Sequence, residues 1–240
     1  MKGKGKIFSA ILTAALVFSQ LPVTASASVI TNEGAEGAMS LVTGAAGLGI
    51  DKLRNPADAD GSSWKGSKVY FGRTGRYPTP YRVLDTDGDN GVLLDSDYAL
   101  FRDQFDKNES SSWGNSYLKT YLNDDFLLGE FSETEGNAIV PANSAGLSGE
   151  KVFLLSESEA TNAKYGYGTA AGRKKTSVRL GEAPSESWYL RDSSDSSVKT
   201  ISSEGEESSA EVNGLSWVSP AMYLDPEKVV MTWPAYEFKP

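Results

Sequence analysis

Apolar and polar positions begin to alternate in an ordered way near Trp64. Lys68-Val69-Tyr70-Phe71-Gly72 reads as a strand running into a glycine turn. Tyr81-Arg82-Val83-Leu84-Asp85 and Gly91-Val92-Leu93-Leu94-Asp95-Ser96 read as two more strands. Asp87-Gly88 between them is a hairpin signal, so the pattern predicts an antiparallel meander. The period then lengthens. Across residues 116–123, Tyr117 or Leu118 falls on one helical face with Tyr121 and Leu122, and Asn123 is a stop signal. Ser132-Glu133-Thr134-Glu135 and Ser156-Glu157-Ser158-Glu159 each place a carboxylate three residues after a serine, the pattern of a capping box. The second box predicts a helix of about two turns. Between these boxes, Lys151-Val152-Phe153-Leu154-Leu155 reads as a short buried strand.

Residues 164–187 read as a long loop, and Ser187-Trp188-Tyr189-Leu190-Arg191 as a strand. Residues 192–209 are polar and read as a small hairpin or a mobile insertion. Residues 214–224 read as a last strand pair, and residues 229–233 are apolar enough to pair with a sheet edge. Residues 28–63 differ: glycines interrupt an Ala-rich run, which reads as a leader or linker with a short helix near residues 38–42.

The extreme N-terminus carries an export pattern. Lys2, Lys4 and Lys6 precede an apolar stretch from Ile7 that is too short to span a bilayer, and Ala25-Ser26-Ala27 matches a cleavage site. The expected product begins after Ala27 and is secreted or displayed at the cell surface. Losing three lysines leaves 20 basic against 32 acidic residues, a net charge of −12. So acidic a chain repels phosphate backbones, which excludes nucleic acid as a natural partner. No later segment reads as a membrane span.

Composition narrows the chemistry further. The 240 residues include neither cysteine nor histidine. A thiolate nucleophile, an imidazole base, a Ser-His-Asp triad and a Cys/His zinc site are all excluded. No catalytic residue is assigned and no cofactor is expected. Asp85, Asp87 and Asp89 sit at calcium-loop spacing, but Asn90 and Ser96 occupy the positions where such a loop needs Gly and Glu, and the flanks read as strands. A solvated turn is the better reading, with calcium as the alternative. Ligand-binding candidates are Tyr165 and Tyr167, separated by Gly166 in a basic loop with Arg173, together with Trp188 and Arg191. The competing reading for the tryptophans is core, and for Arg82 and Arg191 a structural ion pair within apolar strands.

The order of these motifs carries a resemblance. Val69-Tyr70-Phe71-Gly72, Tyr81-Arg82-Val83-Leu84-Asp85, Trp113-Gly114-Asn115-Ser116, Phe131-Ser132, Lys151-Val152-Phe153-Leu154-Leu155-Ser156, Trp188-Tyr189-Leu190-Arg191 and Val218-Ser219-Pro220-Ala221-Met222-Tyr223-Leu224 follow one another in a series that resembles the DUF6273 family. That resemblance implies an exported domain of gut Firmicutes surface proteins, covering residues 64–225 and leaving residues 226–240 as a C-terminal strand or tail; that the chain is the front part of something longer is a separate reading left open. Ser219 stands where the family pattern has arginine. The closing motifs are also similar to those of C-type-lectin-like folds, including the sulfatase-modifying group, whose oxidase chemistry needs cysteine. The expected fold is therefore α+β and C-type-lectin-like: a twisted antiparallel sheet with two or three short helices and long loops. The expected function is a non-catalytic binding module for an extracellular glycan or protein. A structural domain without a small ligand and a carbohydrate-active hydrolase using a carboxylate pair are the alternatives.

Overall fold

The computed structural model describes residues 39–43, 53–56, 63–75, 77–144, 146–177 and 185–232. The expected signal peptide, residues 1–27, lies outside them. The described chain is mixed α+β, mostly sheet, with short helices. None of these helices is long and apolar enough to cross a membrane.

Two sheets form the frame. The first runs β13 (Val229–Thr232), β1 (Met39–Thr43), β2 (Lys68–Thr74), β3 (Tyr77–Asp85), β4 (Val92–Ser96), β12 (Ala221–Leu224) and β6 (Ile139–Val140), with β7 (Val152–Phe153) also paired to β12. The second runs β10 (Glu207–Glu211), β9 (Ser197–Ile201), β8 (Trp188–Ser194), β11 (Leu215–Val218) and β5 (Phe101–Gln104). Pairing is antiparallel apart from β1 with β2 and β11 with β8. The expected single sheet is thus two. β2, β3 and β4 are the predicted meander, and β8, β9 and β10 resolve the polar 192–209 stretch into a hairpin.

Four expectations change. Residues 39–43 form a strand between β2 and β13 in place of a short helix. β11 and β12 do not pair with each other. The chain crosses from one sheet to the other at Ser219-Pro220, and the Pro220 carbonyl accepts from the Ser96 N–H at 2.9 Å. Asn123 does not stop its helix. α1 (Tyr117–Tyr121) continues through a π-helical turn, Leu122–Phe126, into α2 (Leu127–Glu130). The Asn123 amide donates to the Lys119 and Val152 carbonyls at 3.0 and 2.8 Å, and its oxygen accepts from the Lys151 and Val152 N–H groups at 2.8 and 3.1 Å. The residue read as a breaker ties the helix to β7. Finally, residues 164–187 are not all loop: Ala163–Tyr165 is a 3₁₀ turn and α5 spans Ala170–Arg173.

Both capping boxes form. Ser132 and Glu135 start α3 (Glu133–Ala138), and Ser156 and Glu159 start α4 (Glu157–Ala160), which is shorter than expected. Each box satisfies backbone N–H groups that helix geometry leaves open. The apolar residues from Leu53 to Val229 form one core, in which Val83, Leu93, Leu94, Leu154, Leu155, Trp188 and Val218 are fully buried.

Candidate functional site

The most unusual feature of this core is a charged cluster inside it. β4 is buried at every position, and its fourth residue is Asp95. Carboxylates almost never enter such a run unless a cation meets them. Here the cation is Lys175, which follows α5, and both side chains are fully buried. The Lys175 ammonium donates to Asp95 Oδ2 at 2.5 Å, to the Ser96 carbonyl at 2.8 Å and to Ser219 Oγ. Three protons thus meet three acceptors. The Ser219 hydroxyl lies 2.9 Å from Asp95 Oδ1, and the Tyr167 hydroxyl donates to Oδ2 at 2.5 Å. The Trp188 ring lies 4.4 Å from the ammonium. Burial pushes the Lys175 amine down to about 8, with Asp95 working against that shift and Arg82 reinforcing it. The Tyr167 hydroxyl is pushed well above its ordinary range, first by burial and then by Asp95.

A second ionic group adjoins the first. Arg82 of β3 donates from Nε to Asp97 at 2.8 Å and from its two terminal nitrogens to the Gly172 and Lys174 carbonyls at 2.9 and 3.0 Å. Its guanidinium lies over the Trp64 and Tyr167 rings, 5.1 and 5.6 Å from their centroids. Lys68 holds the other Asp97 oxygen at 2.8 Å. Burial opposes the Asp97 charge, yet Arg82 and Lys68 keep its carboxyl below the ordinary value. Arg173 continues the network to the β9–β10 turn, donating to the Gly205 carbonyl at 2.5 Å and the Tyr167 carbonyl at 3.0 Å. Gly205 has φ +87°, and a Cβ there would fall on the Ala170 carbonyl, so the turn docks against α5 only with glycine.

The sequence-predicted residues fall into three places. Tyr167, Arg173 and Trp188 lie together around this cluster and are buried, so none presents a face to solvent. Tyr165 is half-buried, and its carbonyl accepts from Trp64 Nε1 at 2.8 Å. Arg191 is buried apart from them and grips both oxygens of Glu159 at 2.5 and 3.1 Å, besides the Leu154 carbonyl at 2.8 Å. In the 85–89 turn, Asp85 accepts from the Asp87 N–H at 3.0 Å and Asp87 from the Asn55 amide at 3.2 Å. Among the described residues no group of three or more acidic side chains is placed to hold a metal.

A different surface gathers aromatic groups that do reach solvent. Tyr117 and Tyr121, four residues apart on α1, stack with centroids 6.0 Å apart and planes 28° apart, and each is half-buried. Phe101 of β5 meets Tyr121 edge-on at 5.5 Å. The exposed Lys107 sets its ammonium 3.5 Å from the Tyr117 centroid. Leu118 and Leu122 anchor the helix from its buried side. Its N-terminus is fixed by Ser116 Oγ, which accepts from the Lys119 N–H at 3.1 Å, and by Asp106. Burial disfavours the Asp106 charge, but the N–H groups of Ser110, Tyr117 and Asn108 hold its carboxyl below the ordinary range. These three bonds fix the loop that leads into the aromatic pair.

The family described as "Domain of unknown function (DUF6273)" matches residues 89–226, more than half of the chain. The chain belongs to the DUF6273 family. No curated protein and no solved structure matches it. The matched span includes Asp95, Tyr167, Lys175 and Ser219 and the whole aromatic face, while Trp64, Lys68 and Arg82 precede it.

Proposed function

We propose that this chain is an exported, non-catalytic binding module that contacts an extracellular glycan or protein through the face formed by Tyr117, Tyr121 and Phe101. Its fold is read as C-type-lectin-like, a scaffold that carries recognition on its surface. The observation behind this reading is the stacked, half-buried tyrosine pair, in part open to solvent, on a helix whose buried side and N-terminus are both fixed. Such a pair is a flat platform that loses little entropy when a sugar ring or an apolar side chain settles on it. Lys107 and the Tyr117 and Tyr121 hydroxyls add polar contacts at the rim. Secretion or surface display follows from the N-terminal export pattern.

The buried acids favour this reading over a hydrolase. Asp95 is matched to Lys175, and Asp97 to Arg82 and Lys68. A carboxylate pair that breaks glycosidic bonds needs one member held protonated and both facing the substrate. Residues 28–240 applied to glycan and host-protein arrays should retain discrete ligands. A Tyr117→Ala/Tyr121→Ala chain that still unfolds cooperatively should lose them. Retention of the same ligands by that variant would remove the aromatic face from the account.

A further inference from the structure

The Asp95–Lys175 pair has features that a salt bridge does not need. A buried ion pair is stable when each charge is fully solvated by protein groups. In the interior, however, the neutral amine and neutral acid compete with the ions far better than in water, because both charged forms have lost their hydration. The route between the two forms is already built. The Ser219 hydroxyl accepts from the Lys175 ammonium and lies 2.9 Å from Asp95 Oδ1, so a proton passing through it converts ammonium and carboxylate into amine and acid. Arg82, the second cation beside Tyr167, adds to the cost of keeping Lys175 charged. Tyr167 donates to the other carboxyl oxygen at 2.5 Å, where it would stabilise negative charge developing on that atom. The nitrogen and the carboxyl are held in contact, and well-oriented intramolecular pairs reach effective concentrations of about 10⁵ M or more.

We propose that Asp95 and Lys175 form an intramolecular amide, a covalent cross-link between β4 and the segment after α5. The balance is simple. One ammonium proton passes through Ser219 to Asp95 Oδ1. The neutral amine nitrogen then attacks Asp95 Cγ, forming the N–C bond, while Oδ2 carries the negative charge against the Tyr167 hydroxyl. Oδ1 takes the second amine proton through the same serine, its bond to carbon breaks, and it departs as water. Nothing is oxidised or reduced, and no co-reactant enters. Fully buried surroundings keep water from reversing the step. The bond joins residues 80 apart in sequence, in a chain that has no cysteine with which to make a disulfide. It stands independently of any ligand, because it needs only the fold.

Mass spectrometry of the purified whole chain decides the matter. The chain is unfolded in guanidinium, digested with trypsin and mapped. The expected product is a branched peptide that joins the Asp95 and Lys175 segments, lighter by one water than the two together, with cleavage after Lys175 lost. Lys175→Arg should yield only linear peptides. Ser219→Ala, purified in the same way, should carry a smaller share of the branched peptide than the parent chain. If unmodified linear peptides bearing Asp95 and Lys175 account for the parent chain, the cross-link does not exist. If Ser219→Ala carries as large a share of it as the parent chain, the serine relay is wrong.

Discussion

Lys175 and Lys107 each sit over an aromatic ring, and their surroundings are opposites. Lys175 lies 4.4 Å from the Trp188 centroid with no solvent exposure and three acceptors around it. Lys107 lies 3.5 Å from the Tyr117 centroid on the exposed side of the chain. The same pairing of cation and ring therefore serves two ends. Inside, it belongs to a closed network in which each polar atom is committed to a neighbour, and losing one member strands the rest. Outside, a long, hydrated side chain covers a ring that a ligand can take over. Polar and aromatic residues mark the interior scaffold as much as they mark the surface, and only the fold tells them apart.

The contrast breaks most sharply at Lys175. Lys175→Met leaves Asp95 buried without a cation and should lower the unfolding free energy by about 3–5 kcal/mol or more. Replacing both partners, in Asp95→Asn/Lys175→Met, should cost less than the single change, because no charge is then stranded. Urea unfolding measures both. A Lys175→Met chain as stable as the parent would mean that the cluster holds nothing. The matching exposed change, Lys107→Met, should move stability by no more than about 0.5 kcal/mol.

Titration sharpens the same comparison. The folded state keeps Asp97 and Asp106 below their ordinary values. Each contributes stability that is present above about pH 4, where the unfolded carboxylates ionise, and is lost as pH falls through the folded values. The melting temperature should therefore hold near neutrality and drop in acid. At the alkaline end, burial raises the Tyr81 and Tyr167 hydroxyls above the ordinary value. Unfolded tyrosines lose their protons near pH 10 while these two keep theirs, so stability falls as pH rises beyond that point. In ultraviolet titration, Tyr81 and Tyr167 should ionise only as the chain unfolds.

An effect well below that at Lys175 is expected where the aromatic face meets its helix cap. Ser116→Ala removes the acceptor for the Lys119 N–H and should cost about 1 kcal/mol. The cost should appear in unfolding curves as a shifted midpoint with an unchanged slope.

Much of the frame was legible in the chain itself. The meander, the two capping boxes and the polar hairpin rest on local chemistry, and local chemistry is what a linear pattern records. Asn123 shows the limit. It looks like a helix stop because its side chain competes with its own backbone, but the backbone it satisfies is that of Lys151 and Val152, 28 and 29 residues onward. Lys175 shows it more strongly. It stands in a basic, glycine-containing stretch that reads as solvated loop, and its partners are 44 to 80 residues away. The one local sign was on the other side of the pair, where Asp95 interrupts an apolar strand. The tyrosine pair was half legible. The helical period put Tyr117 and Tyr121 on one face with the leucines, but the buried face belongs to Leu118 and Leu122, and the tyrosines flank it towards solvent. Among the residues singled out as ligand candidates, Tyr167 and Trp188 have aromatic character that was read as surface recognition, and they line the interior network instead.

The division between an inner network that holds and an outer face that binds is tested most directly by arrays probed in parallel with three chains. These are residues 28–240 unchanged, with Tyr117→Ala/Tyr121→Ala, and with Lys107→Ala. The unchanged chain should retain a defined set of glycans or proteins, the double tyrosine variant should lose that set while still unfolding cooperatively, and Lys107→Ala should keep it with altered strength. An identical pattern from all three chains would contradict the account.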